Sequence, residues 1–123
     1  MDHEQDITER IIGGAIEVHR ALGPGLLENA YIGALCVELA CRGLRFDRER
    51  RVPLTYRNAA IGEYRIDLIV ENKVVVEVKS VLHFEPVFAA QVLTYLRITG
   101  LRAGLLLNFN KAVLKDGIKR LVL

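Results

Sequence analysis

Three charged side chains stand at spacings that could do hydrolytic chemistry. Asp67 lies in Tyr64-Arg65-Ile66-Asp67-Leu68-Ile69-Val70, among residues that otherwise form strands, and ten residues later comes Val76-Glu77-Val78-Lys79. Side chains two apart on a strand share a face, so Glu77 and Lys79 project together. A three-residue loop at Glu71-Asn72-Lys73 pairs Val70 with Val74 and sets Asp67 opposite Glu77, whereas a two-residue loop sends Asp67 to the other side of the sheet. The first register gathers two carboxylates and an ammonium on one surface. Two close carboxylates repel unless a cation lies between them, and hard oxygen ligands suit Mg²⁺ or Mn²⁺. A neighbouring lysine can orient or activate water on such an ion, or stabilise charge on a phosphoryl group under attack. Those are the parts of a metal-dependent phosphodiesterase. Taken alone, a cross-strand salt bridge of Lys79 with either acid is the simpler reading.

Three further residues bear on the choice. Glu28 sits on or beside an apolar helical stripe near Tyr31, Ile32 and Leu35. A carboxylate there is a partner for the helix N-terminal dipole, or is turned inward toward a metal or lysine. Gln91 and Tyr95 are one helical turn apart after the Glu-x-Lys strand, so both can face the sheet, though surface exposure and core packing account for each singly. His83 follows the lysine closely and reads as a loop residue, while His3 and His19 have no ligand spacing with each other or with the cysteines, so zinc is not expected. No glycine-rich phosphate loop calls for a nucleotide cofactor.

The elements that must position these residues alternate in texture. Met1 to Gln5 read as a frayed terminus, and Asp6 with Glu9 has capping-box spacing ahead of Ile7, Ile11, Ala15, Val18 and Leu22. Gly23-Pro24-Gly25 breaks that helix and restarts another, which runs to about Cys41 with Gly43 as C-cap. Arg45 to Arg57 alternates poorly and contains Pro53, which predicts an edge strand. After a turn at 57–60, strands are expected at Ile61–Val70 and Val74–Ser80, a helix at Glu85–Thr99, a buried strand at Arg102–Asn108, one helical turn within Lys111–Gly117 and a closing strand at Ile118–Leu123. The order predicts one α/β domain over residues 1–123, a mixed sheet with helices packed on it.

Composition narrows the class. The chain has 123 residues, 51% hydrophobic and 26% charged, which permits one domain with its own core and excludes disorder. Its apolar runs are interrupted by Glu38, Glu77 or Lys79, so no membrane span is expected, and the polar start Met1–Arg10 predicts no secretory signal. Cys36 and Cys41, five apart in a helix, read as buried thiols of an intracellular, cytoplasmic protein. The net charge of +2 divides unevenly: Arg42, Arg45, Arg48, Arg50, Arg51 and Arg57 face only Asp47 and Glu49 between residues 41 and 57, while the rest holds 11 basic and 13 acidic groups. Such a stretch can bind polyphosphate, although charge alone favours a solvated edge strand guarded against aggregation.

Gly25-Leu26-Leu27-Glu28-Asn29-Ala30-Tyr31 matches the pattern G-x-x-E-x-x-Y, and here the chain resembles the GxxExxY family of the PD-(D/E)xK nuclease superfamily, from about Ile12 to Phe109. Gln91-Val92-Leu93-Thr94-Tyr95 is similar to the Q-x-x-x-Y element of RecB-like nucleases and phage exonucleases, whereas Arg65-Ile66 replaces the proline that the superfamily motif places before its acid. The resemblance implies a restriction-endonuclease-like core with a mixed central β-sheet flanked by α-helices. It further implies Mg²⁺ (or Mn²⁺) held by Asp67, Glu77, the Val78 carbonyl and Glu28. Lys79 would position the attacking water, Gln91 would steady Lys79 or the phosphate, and Tyr95 would touch nucleic acid or buttress Gln91. Arg48, Arg50 and Arg51 would grip phosphates. The function implied is a nuclease on DNA; the high apolar content of so short a chain further predicts a homodimer, and the length leaves selectivity to a partner or a second copy. The alternatives are a non-cleaving nucleic-acid-binding or assembly module on the same fold, and a dimeric structural protein.

Overall fold

The computed structural model describes residues 3–123. Helix α1 (His3–Leu22) buries Ile7, Ile11, Ala15 and Val18 along one stripe, with Glu4 and Asp6 in its first turn and His19 and Arg20 in its last, signs that suit the helix dipole. It begins ahead of Asp6, which therefore acts as a first-turn acid instead of the expected cap. Of the terminus expected to fray, Met1 and Asp2 lie outside the described residues, and His3 to Gln5 are helical. Helix α2 (Glu28–Cys41) starts three residues beyond the glycine-proline-glycine break. Gly25 holds φ at +103°, a conformation that L side chains rarely adopt. Cys36 is half-buried but Cys41 is exposed in the last turn of α2, so only one thiol approaches the burial expected; both are free.

Strands β1 (Phe46–Tyr56) and β2 (Ala59–Val70) form an antiparallel hairpin, closed by Arg57 and Asn58 at positive φ as a tight hairpin turn requires. Strand β3 (Val74–Lys79) follows through the expected three-residue loop, with Val70 opposite Val74. That loop holds Glu71 and Asn72 at positive φ. Glu71 tolerates it because its N–H donates to Arg45 C=O (2.8 Å) while its carboxylate accepts from Arg45 N–H (2.6 Å). Helix α3 (Pro86–Thr99) crosses over to β4 (Ala103–Asn108), which runs parallel to β3, and a 3₁₀ turn at Leu114–Gly117 leads into antiparallel β5 (Ile118–Val122). The strands lie in the order β1-β2-β3-β4-β5. No helix among the described residues is long and apolar enough to cross a membrane.

Two cores sandwich the sheet. Helices α1 and α2 cover one face through Tyr31, Leu35, Leu68, Val76, Val78 and Leu105, and α3 covers the other through Ile69, Val75, Val92, Tyr95 and Leu106. Helix α3 approaches so closely at Gly104 that a Cβ there would lie 2.7 Å from Val92. The pleat assigns Val74, Val76 and Val78 to the α1/α2 side, and Val75, Glu77 and Lys79 to the α3 side.

Strand β2 breaks this alternation at one residue. Leu68 and Val70 belong to the α1/α2 core, yet Tyr64 and Ile66 belong to the α3 core, so the pleat changes phase at Asp67. Strand β1 changes phase at the facing rung: Phe46 packs on the α1/α2 core and Val52 on the α3 core, and between them Glu49 takes φ +56°. Because both strands shift together, the pairing stays in register from Arg48–Leu68 to Arg50–Ile66. A non-glycine residue in the left-handed region carries a penalty of about 1–2 kcal/mol. Glu49→Gly is therefore expected to raise stability in urea unfolding by up to about 1 kcal/mol, and a loss of stability would contradict this strain.

Candidate active site

The β2–β3 ladder ends at Leu68–Val76, one rung before Asp67 and Glu77. Where the ladder would continue, the Asp67 side chain replaces it: Asp67 Oδ2 accepts a hydrogen bond from Val78 N–H at 2.9 Å. The phase change in β2 is what frees this carboxylate from the regular pleat. Glu77 beside it is only 5% exposed, and its Oε1 has no hydrogen-bond partner. Burial first, then a hydrogen bond shared with Asp67 and the repulsion of its charge, push the Glu77 carboxyl well above the usual carboxylate range, against a smaller opposing pull from Lys79. The register thus brings the two acids together at the cost of raising the pKa of the Glu77 carboxyl.

Lys79 is half-buried on the same side of the sheet as Glu77, with its Nζ 4.7 Å above the centre of the Phe88 ring. Among the described residues no ion pair joins it to Asp67 or Glu77, so the salt-bridge reading of the three charges is not the one this fold adopts. Tyr95 packs edge-to-face on Tyr64 at 5.3 Å and is 6% exposed. Burial, followed by the nearby charges of Glu77 and Asp67, raises its pKa to about 12. A ring so enclosed offers almost no surface to nucleic acid. Gln91, one turn earlier on α3, is half-buried and makes no side-chain hydrogen bond among the described residues.

Glu28 reaches the neighbourhood by a different route. Tyr31 Oη donates to Gly23 C=O (2.6 Å) and accepts from Leu26 N–H (3.1 Å), which fixes the loop ahead of α2. Ser80 Oγ donates to Leu26 C=O (2.6 Å), tying that loop to the residue after Lys79. The Tyr31 ring stacks on Phe109 at 4.5 Å, and Phe109 N–H donates to Lys79 C=O at 2.9 Å. Glu28 itself is exposed at the start of α2. Among the described residues no three His, Cys, Asp or Glu side chains lie close enough to hold a metal between them, so Glu28 does not form a ready cage with the acid pair. Mg²⁺ does not need one: it commonly takes one or two carboxylates and completes its shell with water and substrate phosphate. Asp67 with the orphaned Glu77 oxygen fits that donor set.

The arginines divide. The Arg48 guanidinium lies toward α2, 3.9 Å from where a Cβ on Gly33 would stand. Arg50 pairs with Asp47 (2.9 Å) and Arg51 with Glu63 (2.6 Å), all substantially exposed. Residues that bear on the site without an expected role are Glu49, Ser80, Phe88, Phe109 and Asn108. The fully buried Asn108 side chain donates to Val81 C=O (2.9 Å) and accepts from Val81 N–H and Asn110 N–H (both 3.1 Å), clamping the segment after Lys79. A single asparagine closing an otherwise apolar strand is the sequence signal that could have found it.

A buried acid with an orphaned oxygen costs stability when it ionises. The folded metal-free protein holds a proton on Glu77 that the unfolded chain releases at the ordinary glutamate pKa, so this group makes stability fall as pH rises above that value, by at most about 1.4 kcal/mol per pH unit. Glu77→Gln is expected to stabilise the metal-free protein by about 1–3 kcal/mol near neutral pH and to remove this component of the decline. Chemical unfolding at pH 6 and pH 8.5 checks both; a destabilised Glu77→Gln with an unchanged pH dependence would contradict the burial described.

A family model of the PD-(D/E)XK nuclease superfamily matches residues 5–121. No match is found among the curated proteins or among the solved structures. The mixed five-stranded sheet with helices on both faces is consistent with the α/β restriction-endonuclease-like core. On the extent of that match, the chain belongs to the PD-(D/E)XK nuclease superfamily.

Proposed function

We propose that the chain is a divalent-metal-dependent nuclease of the GxxExxY branch that hydrolyses phosphodiester bonds of DNA. The observation that carries this reading is the buried Glu77 with its unpartnered oxygen beside the half-buried Asp67, Glu77 lying on the side of the sheet that Lys79 shares. Asp67, Glu77 and the Val78 carbonyl would hold Mg²⁺ or Mn²⁺, with Glu28 reaching the ion through water from the tethered start of α2. A divalent ion bound there supplies Lewis-acid stabilisation of charge on the phosphoryl oxygens.

The remaining work falls to the chain's own side chains. Lys79 stabilises the charge that develops at phosphorus and orients the attacking water, its ammonium lying over the Phe88 ring. Gln91, whose side chain makes no hydrogen bond among the described residues, is available to Lys79 or to the phosphate. Tyr95 buttresses this wall, and Arg48, Arg50 and Arg51 supply phosphate contacts from the flank. The alternative, a cytoplasmic nucleic-acid-binding or assembly module that does not cut, draws on one observation: among the described residues Glu28 forms no metal-binding group with the acid pair.

Linear, nicked and branched DNA, and RNA, incubated with Mg²⁺ or Mn²⁺ test the choice. Cleavage is expected on DNA, abolished by chelation and reduced at least about 100-fold by Asp67→Ala or Lys79→Ala. Cleavage that survives either substitution would sink the reading. A homodimer is proposed as well, because Leu27, Leu82 and Val87 are exposed around this end of the fold. Light scattering is expected to give twice the 13.8 kDa chain mass, and a monomer at micromolar concentration would contradict the dimer.

A further inference from the structure

The β1–β2 hairpin is longer than the sheet it belongs to. Strand β2 pairs with β3 only over Leu68–Val70, while its pairing with β1 continues from Arg50–Ile66 out to Tyr56–Ala59. Beyond Ile66, then, two strands run on without a third. At about 3.3 Å per residue the seven residues Arg50 to Tyr56 make an arm on the order of 20 Å long. From Thr55 to Glu63 every side chain is exposed.

Three features of this arm find no use within the fold. Its charge is one-sided: Arg50, Arg51, Arg57 and Arg65 stand against Glu63 alone between residues 50 and 66. Arg51 lies directly opposite Arg65 in the register, a like-charge pair that weakens a hairpin. The glutamates that relieve it, Glu63 at 2.6 Å from Arg51 and Glu49 at 4.0 Å from Arg65, form solvent-exposed pairs of little worth that a phosphate can replace. The third feature is the tip. A register shift at Leu54/Thr55 leaves Ile61 without a rung partner, and Ile61 (64% exposed) and Tyr56 (62%) stand in solvent beside Arg57. The arm's root adjoins Asp67.

From the arm's shape, charge and root we infer that it is a groove-binding ribbon for duplex nucleic acid, with Arg51, Arg57 and Arg65 on the phosphates and Tyr56 and Ile61 against the groove floor. A B-form major groove, about 12 Å wide and 8.5 Å deep, admits a two-stranded ribbon. The inference rests on the nuclease reading for the nature of the ligand and names its form: a duplex, gripped outside the carboxylate pair and led toward it along β2.

The test is the binding of a labelled 20-base-pair duplex, and of its single strand, by fluorescence anisotropy in EDTA over a range of salt. Wild type is expected to prefer the duplex. The combined variant Arg51→Ala, Arg57→Ala, Arg65→Ala is expected to bind it at least tenfold more weakly and to flatten the plot of log K against log salt by about 2 to 3, near 0.9 for each phosphate no longer neutralised. Tyr56→Ser with Ile61→Ser should weaken binding with the salt slope unchanged. Circular dichroism and thermal melts of each variant establish that it folds. Unchanged duplex affinity and slope in folded variants would overturn the inference, as would a preference for the single strand. It would also fall if the tip variant lost only a dimer. Cleavage by wild type with binding indifferent to the arm overturns the arm and leaves the nuclease reading standing. Arm-dependent duplex binding without cleavage in Mg²⁺ or Mn²⁺ does the reverse.

Discussion

The architecture turns on a buried carboxyl group, Glu77, held beside the half-buried Asp67. A lone buried carboxylate would neutralise itself or disrupt its surroundings. Asp67 is held by a backbone N–H from Val78, while burial and the neighbouring Asp67 charge raise the Glu77 carboxyl well above the usual carboxylate range. That arrangement requires a hairpin register that places them opposite each other, and a strand that turns out of its regular pleat where Asp67 must aim its oxygens. The first comes from the three-residue loop anchored by Glu71 and Arg45. The second appears as the matched phase change at Asp67 and Glu49, with its left-handed backbone.

Around this pair the sheet's end is tied off from the α1/α2 side. The tyrosine of the GxxExxY pattern does not point at the acids; it fastens the Gly23–Leu26 loop and stacks on Phe109, whose N–H reaches Lys79 C=O. Ser80 and Asn108 hold the segment that leaves β3. The pattern's glycine, glutamate and tyrosine thus have separate physical tasks: a left-handed turn, an exposed acid, and the anchor that fixes where the acid stands. On the α3 side the support is aromatic, with Phe88 under Lys79 and Tyr95 on Tyr64.

Much of this could be read from residue types. The loop Glu71-Asn72-Lys73 determines the pairing of Val70 with Val74, and period-two spacing puts Glu77 with Lys79, so the heart of the site is legible in a short stretch. Pro53 marks the edge strand, and Gly100 at φ +75° ends α3 where helical spacing stops. The phase change was not legible as such. Its trace is the poor alternation between Arg45 and Arg57, which reflects two strands switching faces together and depends on a partner strand no local pattern specifies. Likewise the start of α2 at Glu28 instead of at the proline follows from tertiary bonds made by Tyr31 and Ser80. The burial of Tyr95 depends on Tyr64, 31 residues earlier.

In the nuclease proposed, a divalent cation would offset the repulsion between Asp67 and Glu77 that raises the pKa of the Glu77 carboxyl. Calorimetric titration of the metal-free protein with Mn²⁺ tests this most directly. One ion per chain is expected to bind wild type, and binding is expected to weaken at least tenfold in Asp67→Asn and in Glu77→Gln while both variants remain folded. Mn²⁺ binding of equal strength in wild type and in both variants would contradict the account.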